Sequence, residues 1–226
     1  MAAEVVEYWL QSGKNAVIFN NPIKPIENKL MKGKPLSSQK GQAEAFFLID
    51  DHGQGWILKK FHNGHELDWE YLQKTTKVLP KEPGFECGTN RCVLTNQNLD
   101  KIPGFYYSEP FANWLKGTIL MPRISGVDWA GLADDIRDEK INMDLFERYE
   151  LCRKLTQLVE LLEQHQCSHR DLSCGNIFID LDSGMIYMID FDSLFHPSLT
   201  MPKITTCGTY GYTAHLAWHG DNMDPA

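Results

Sequence analysis

The chain has 226 residues, 42% apolar and 23% charged, with six Trp and eleven Phe, which supplies a packed core and excludes a disordered or low-complexity polymer. Acidic residues outnumber basic ones by 30 to 22, a formal net charge of −8, and no block of Lys and Arg interrupts that balance, which argues against nucleic acid and anionic membrane as partners. Apolar runs such as Phe46-Phe47-Leu48-Ile49 fall far short of the ~18 residues of a membrane span, the opening Met-Ala-Ala-Glu is unlike a secretory leader, and six scattered cysteines read as reduced thiols of a cytoplasmic protein.

In chain order, Val5 to Leu10 reads as a short helix, and residues 21–35, broken by Pro22, Pro25 and Pro35, as an extended connector. Residues 1–33 are therefore taken as an N-terminal extension. Two β-rich runs at 44–50 and 56–61, joined by Asp51-His52-Gly53-Gln54-Gly55, predict a hairpin. The spacing of Leu67, Tyr71 and Leu72 predicts a helix over 65–78 that ends before Pro80. Residues 80–117 are rich in Pro, Gly and Asn; Phe105-Tyr106-Tyr107 suggests one strand there, and Cys87 and Cys92 lack the second ligand pair of a zinc site. Residues 118–121 read as a buried strand stopped by Pro122, and Gly126 marks a turn. From 142 to 166, Leu145, Tyr149, Cys152, Leu155, Val159 and Leu162 recur every three or four residues and describe a long amphipathic helix. Two short strands follow at 176–180 and 185–189, linked by the turn sequence Leu181-Asp182-Ser183-Gly184.

The loops at the two ends of that last hairpin carry the chemistry. His169-Arg170-Asp171-Leu172-Ser173-Cys174-Gly175-Asn176 precedes it and Asp190-Phe191-Asp192 follows it. A hairpin returns its ends to one place, so Asp171, Asn176 and Asp190 converge. Their carboxylate and amide oxygens are hard ligands of the kind magnesium takes together with substrate phosphates, and such a set fits phosphoryl transfer.

These two loops resemble the catalytic loop H-R-D-L-x-x-x-N and the metal-binding D-F-G of the protein-kinase family, of the Hanks serine/threonine type. The resemblance implies an α+β, two-lobed fold: a β-rich small lobe at 34–121 and a shortened, mainly helical large lobe at 122–226. It implies a MgATP-dependent enzyme in which Asp171 accepts the proton of the attacking hydroxyl, Asn176 and Asp190 hold magnesium, and His169 braces the loop from the core. Trp56-Ile57-Leu58-Lys59-Lys60-Phe61 is similar to the strand bearing the phosphate-pairing lysine, which makes Lys59 that lysine and sends Lys60 to the opposite face as a solvated charge. Glu70 is the favoured ion-pair partner for Lys59, with Glu66, one turn earlier, kept open. Gly41 and Ala43 stand in the place of the glycine-rich phosphate loop, and the adenine ring is expected near Met121, Arg123 and Ile124, held by their backbone. Cys207-Gly208-Thr209-Tyr210-Gly211-Tyr212-Thr213-Ala214 is similar to the end of a protein-kinase activation segment, which points to a protein substrate, and Arg170 suggests control by phosphate on Thr205 or Thr206.

The chain departs from the pattern at four places. The phosphate loop has a single glycine, Asp192 replaces the glycine of D-F-G, Ser173 stands where a lysine is usual, and His215-Leu216 replaces Pro-Glu. Two alternatives follow: a nucleotide-binding scaffold without transfer, and a kinase of small molecules.

Overall fold

The computed structural model describes residues 2–18, 21–40, 43–62, 68–95 and 109–200. The fold is α+β, and the chain divides into two compact units, Met1–Trp69 with Asn90–Arg123, and Glu70–Thr89 with Ile124–Ala226.

The first unit is built on an antiparallel sheet of seven described strands: β1 (Ala16–Ile18), β2 (Asn21–Pro25), β3 (Ser37–Lys40), β4 (Ala43–Asp50), β5 (Gly55–Phe61), β6 (Cys92–Leu94) and β7 (Thr118–Pro122). Their order is β1-β2-β4-β5-β7-β6, with β3 also pairing β4. In β4 and β5, Phe46 lies opposite Leu58 and Ala45 opposite Lys59, so alternation sorts the side chains into two faces. One face carries Phe46, Leu48 and Leu58, which form the core with Ile18, Ile23 and Leu120. Helices α1 (Ala2–Ser12) and α4 (Glu109–Leu115) contribute to that core through Val6 and Trp9, and through Phe111 and Leu115. The Trp9 and Phe111 rings meet edge-on at 5.5 Å.

The expectation of a separate N-terminal extension is corrected here. Residues 16–18 and 21–25 are sheet strands, with Ile23 paired to Asp50 and Pro25 to Leu48. Proline is accommodated because Pro22 and Pro25 lie near the two ends of β2, where the pairing register begins and stops. The β4–β5 hairpin forms as its turn sequence predicts. Asp50 organises it: Oδ1 accepts the N–H groups of His52 and Gln54 at 2.9 and 2.8 Å, and Oδ2 accepts the Trp56 indole N–H at 3.1 Å. These bonds, the Trp56 bond foremost, hold its carboxyl below the usual carboxylate range. Gly53, at φ +83, supplies the left-handed residue the turn requires.

Lys60 points away from Lys59, as alternation demands, but it is not a solvated charge. Its ammonium donates to the carbonyls of Trp114 and Lys116 at 2.6 and 2.8 Å and lies 5.7 Å from the Trp114 ring. A cation at the carbonyl end of α4 satisfies acceptors that the helix leaves open, and burial pushes this lysine below its ordinary pKa. The partner is remote in sequence, which is why a local pattern misreads the residue.

The second unit contains α2 (Trp69–Val78, all but its first residue), α3 (Glu86–Thr89), α5 (Trp129–Arg137), α6 (Leu145–Gln164) and a three-stranded antiparallel sheet ordered β10 (Met185–Met188), β9 (Ile177–Asp180), β8 (Val127–Asp128). Its core joins Leu79 and Phe85 to Leu158, Leu162, Ile179, Met188 and Phe191. That burial draws residues 70–89 into this unit, so a contiguous small lobe at 34–121 is not the division the contacts make. Asp144 caps α6 in a capping box: its side chain accepts Glu147 N–H at 2.8 Å, and Glu147 accepts Asp144 N–H at 2.8 Å. The helix is found where its periodicity places it, and of the expected stripe Leu155, Val159 and Leu162 pack on the core while its first half does not. Leu151, Leu158 and Leu162 are buried, whereas Leu145 and Tyr149 are 84% and 64% exposed. Among the described residues no helix is long and apolar enough to cross a membrane.

Candidate functional site

In the second unit, β9 and β10 pair from Ile177 opposite Met188 to Asp180 opposite Met185, which returns the chain to its starting point. Four backbone and side-chain bonds continue that closure beyond the strands. Ile189 N–H donates to the Asn176 carbonyl at 3.0 Å. The Asn176 side-chain amide donates to the Asp171 carbonyl at 2.8 Å. Ser168 and Phe195 exchange N–H···O bonds at 3.0 and 2.8 Å. Asp171, Asn176 and Asp190, all half-buried, are thereby held on segments laced directly to one another.

Two non-glycine residues in this region adopt left-handed backbone, Arg170 at φ 63 and Asp190 at φ 64. Such residues are uncommon and persist where their surroundings hold them. Asp190 is held on both sides: Ile189 is bonded to the loop, and Phe191, 1% exposed, packs 6.1 Å from Phe85 and 5.0 Å from the His169 ring, centroid to centroid.

His169 is the pin of the arrangement. It is 4% exposed, and Nε2 lies 2.8 Å from the Ile189 carbonyl. A carbonyl only accepts, so Nε2 carries the proton and donates, while Nδ1 is buried without a hydrogen-bond partner among the described residues. Burial holds the imidazole below its ordinary pKa of 6.5, against the opposing pull of the Ile189 bond and of the Asp171 and Asp192 carboxylates. Below pH 6.5 the unfolded chain takes up a proton that the folded chain refuses, so this histidine lowers stability progressively from there down to its folded pKa. The His169 Hε1 resonance is expected to titrate below pH 6.5; a midpoint at or above 6.5 contradicts the burial argument.

The donor set suits a hard divalent cation. Because Asn176 meets a carbonyl, its amide nitrogen faces Asp171 and its side-chain oxygen turns elsewhere; that oxygen and the Asp190 carboxylate are the hard oxygen donors of the two loops. Among the described residues no group of three His, Cys, Asp or Glu side chains gathers around one point, so a softer, protein-enclosed metal centre has no basis there. One amide and one carboxylate match magnesium, which keeps waters and substrate oxygens in its shell.

In the first unit Lys59 lies on β5 between Ala45 of β4 and Ile119 of β7, on the face opposite the core. Its ammonium stands 4.9 Å from the Phe61 ring centroid. Ala43 and Ala45 share that face with Ile57, Lys59 and Met121. Ile57 escapes motif reading, although counting by twos from Lys59 finds it. Arg123 N–H donates to the Gly55 carbonyl at 3.0 Å and its guanidinium lies 5.1 Å from the Phe47 ring centroid, so that backbone donor is engaged in the sheet. Ile124 begins the long second segment of the other unit.

Glu70 pairs with Lys74 one turn along α2, at 2.7 Å, and its side chain is 76% exposed. Glu66, Gly41, Thr205, Thr206 and the 207–214 segment lie outside the described residues, as does Phe105-Tyr106-Tyr107. A groove of about 440 Å³ lies beside α6 and β10, lined by Pro83, Lys154, Leu158, Leu161 and Met185 among others; Asp171, Asn176 and Asp190 do not line it. No protein-family model matches the chain, and no curated protein matches it.

Proposed function

We propose that this chain is a MgATP-dependent phosphotransferase of protein-kinase type, which moves the terminal phosphoryl group of ATP to a serine or threonine hydroxyl of a protein. The first unit takes the role of the β-rich small lobe and the second that of the large lobe. The observation that supports this most is the lacing of Asp171, Asn176 and Ile189 by the 2.8 and 3.0 Å bonds, with His169 closing the set at 2.8 Å. It ties a loop bearing a carboxylate and an amide to a second loop bearing a carboxylate, which is what positioning a metal-bound phosphate and a nucleophile requires.

In this reading Asp171 accepts the proton of the substrate hydroxyl as its oxygen attacks phosphorus, and ADP leaves. Asn176 and Asp190 hold magnesium, which when bound neutralises charge on the phosphate oxygens. Lys59 pairs with phosphate, and residues around Met121, Arg123 and Ile124 receive the adenine. Incubation of the purified chain with magnesium, γ-labelled ATP and a panel of acceptor proteins is expected to label protein on serine or threonine. Absence of both self-labelling and transfer removes the reading. Stabilisation by MgATP in a thermal-shift titration without transfer replaces it with a nucleotide-binding scaffold, and label recovered only in a small product replaces it with a small-molecule kinase.

A further inference from the structure

Asp190 is useful as a cation ligand only if its left-handed turn, φ 64 and ψ 55, is held in one place. Its N-terminal side is held by the Ile189 bonds. Its C-terminal side is held by the burial of Phe191, and one wall of the Phe191 seat is a bare backbone. A Cβ built on Gly88 of α3 would lie 2.6 Å from Phe191 Cδ2, 3.0 Å from Phe191 Cε2 and 2.3 Å from Leu79 Cδ1. The Leu79 contact is the far end of a flexible side chain and can rotate aside. The ring has less room to yield, because Phe85 and His169 pack against it at 6.1 and 5.0 Å. Cores are close-packed, so a methyl group added there must move what it meets.

We infer that Gly88 is a positioning residue for the metal ligand Asp190, acting through the Phe191 ring: the missing side chain at 88 lets Phe191 seat and thereby fixes the Asp190 turn. The inference rests on the phosphotransferase reading, in which Asp190 binds magnesium. It names a constraint outside the motifs, on a short helix of otherwise unremarkable sequence.

The test uses the full chain with Gly88→Ala, Phe191→Leu and both together. Manganese binding in the presence of ADP is followed by electron paramagnetic resonance, and amide hydrogen exchange over residues 189–194 is followed without ligand. Gly88→Ala is expected to weaken manganese binding about 10- to 100-fold, the range for loss of a group that orients a metal ligand, and to speed exchange at 190–193. ADP binding without divalent ion is expected to stay the same. Adding Phe191→Leu should recover most of the manganese affinity, because the smaller side chain makes room; a merely structural defect would instead be deepened by a second core change. Wild-type manganese affinity in folded Gly88→Ala, or failure of Phe191→Leu to restore it, overturns the inference. Should Gly88→Ala fail to fold, Leu79→Ala with and without Gly88→Ala gives the same comparison with one clash removed. If wild type neither binds MnADP nor transfers phosphate, the functional reading falls, and the exchange data alone decide whether Gly88 holds the Asp190 turn.

Discussion

Asp171→Asn is expected to lower phosphoryl transfer about a thousandfold, the middle of the range for loss of a general base, while leaving the thermal transition and nucleotide binding near those of wild type. Asparagine keeps the shape of the side chain and removes its capacity to take a proton. The bond that Asp171 contributes to the lacing is made by its main-chain carbonyl, which accepts from Asn176 at 2.8 Å, and no side-chain substitution deletes that acceptor. A thousandfold corresponds to about 4 kcal/mol in the barrier, far more than a displaced surface carboxylate accounts for. Steady-state transfer assays decide it: a variant retaining more than about a tenth of wild-type turnover is incompatible with Asp171 as the base.

The largest stability effect is expected at Gly126. Its φ of +113 is one that side-chain-bearing residues rarely adopt, and an added Cβ would stand 2.1 Å from the Ile179 carbonyl oxygen, 2.6 Å from the Ile179 carbonyl carbon and 3.0 Å from Asp180 Cα. These are backbone atoms of β9, which is pinned between β8 and β10, so they do not move aside as a side-chain end does. Gly53 provides the comparison: φ +83 with nothing within 4 Å of the added carbon, where alanine costs only the conformational term of about 1–2 kcal/mol. Gly126→Ala adds a backbone collision to that term and is expected to cost about 4 kcal/mol or more, in the range reserved for severe disruptions. Because β9 follows Asn176 directly, the same variant should lose phosphoryl transfer. Denaturant melts of the two variants side by side test this; equal midpoints would mean that β9 yields more easily than its pairing implies.

Local chemistry made part of this molecule legible before any coordinates. The turn at Asp51 to Gly55 and the turn at Leu181 to Gly184 act within a few residues of themselves, and each closes a hairpin where its pattern points. Readings that depended on remote partners went astray. Helix α6 carries apolar residues at Leu145, Phe146, Tyr149, Leu151, Cys152, Leu155 and Leu158, enough for more than one stripe, so periodicity finds the helix but counts the exposed Leu145 and Tyr149 with the core. Strands β1 and β2 are three and five residues long, and β2 contains two prolines, too little alternation to register as strands until β4 offers its edge. Lys60 looked solvated because the carbonyls it meets lie 54 and 56 residues away. Gly88 was invisible for the same reason, since nothing in Glu86-Cys87-Gly88-Thr89 announces that Phe191 rests on it.

The interleaving of the two units along the chain governs how this protein is made. The backbone passes from one unit to the other at 69/70, 89/90 and 123/124, so neither unit is a contiguous stretch of sequence. As the polypeptide emerges from the ribosome, β4 and β5 can pair early, but the sheet lacks β7 until residue 122 is synthesised. Leu79 and Phe85 are made long before Leu158, Met188 and Phe191, with which they form one core, and must wait as exposed apolar surface. Such surface is what holdase chaperones recognise and what aggregates when they are scarce. Dissection into expressible halves is correspondingly unpromising: a cut at any one of the three crossings leaves at least one core divided between two polypeptides.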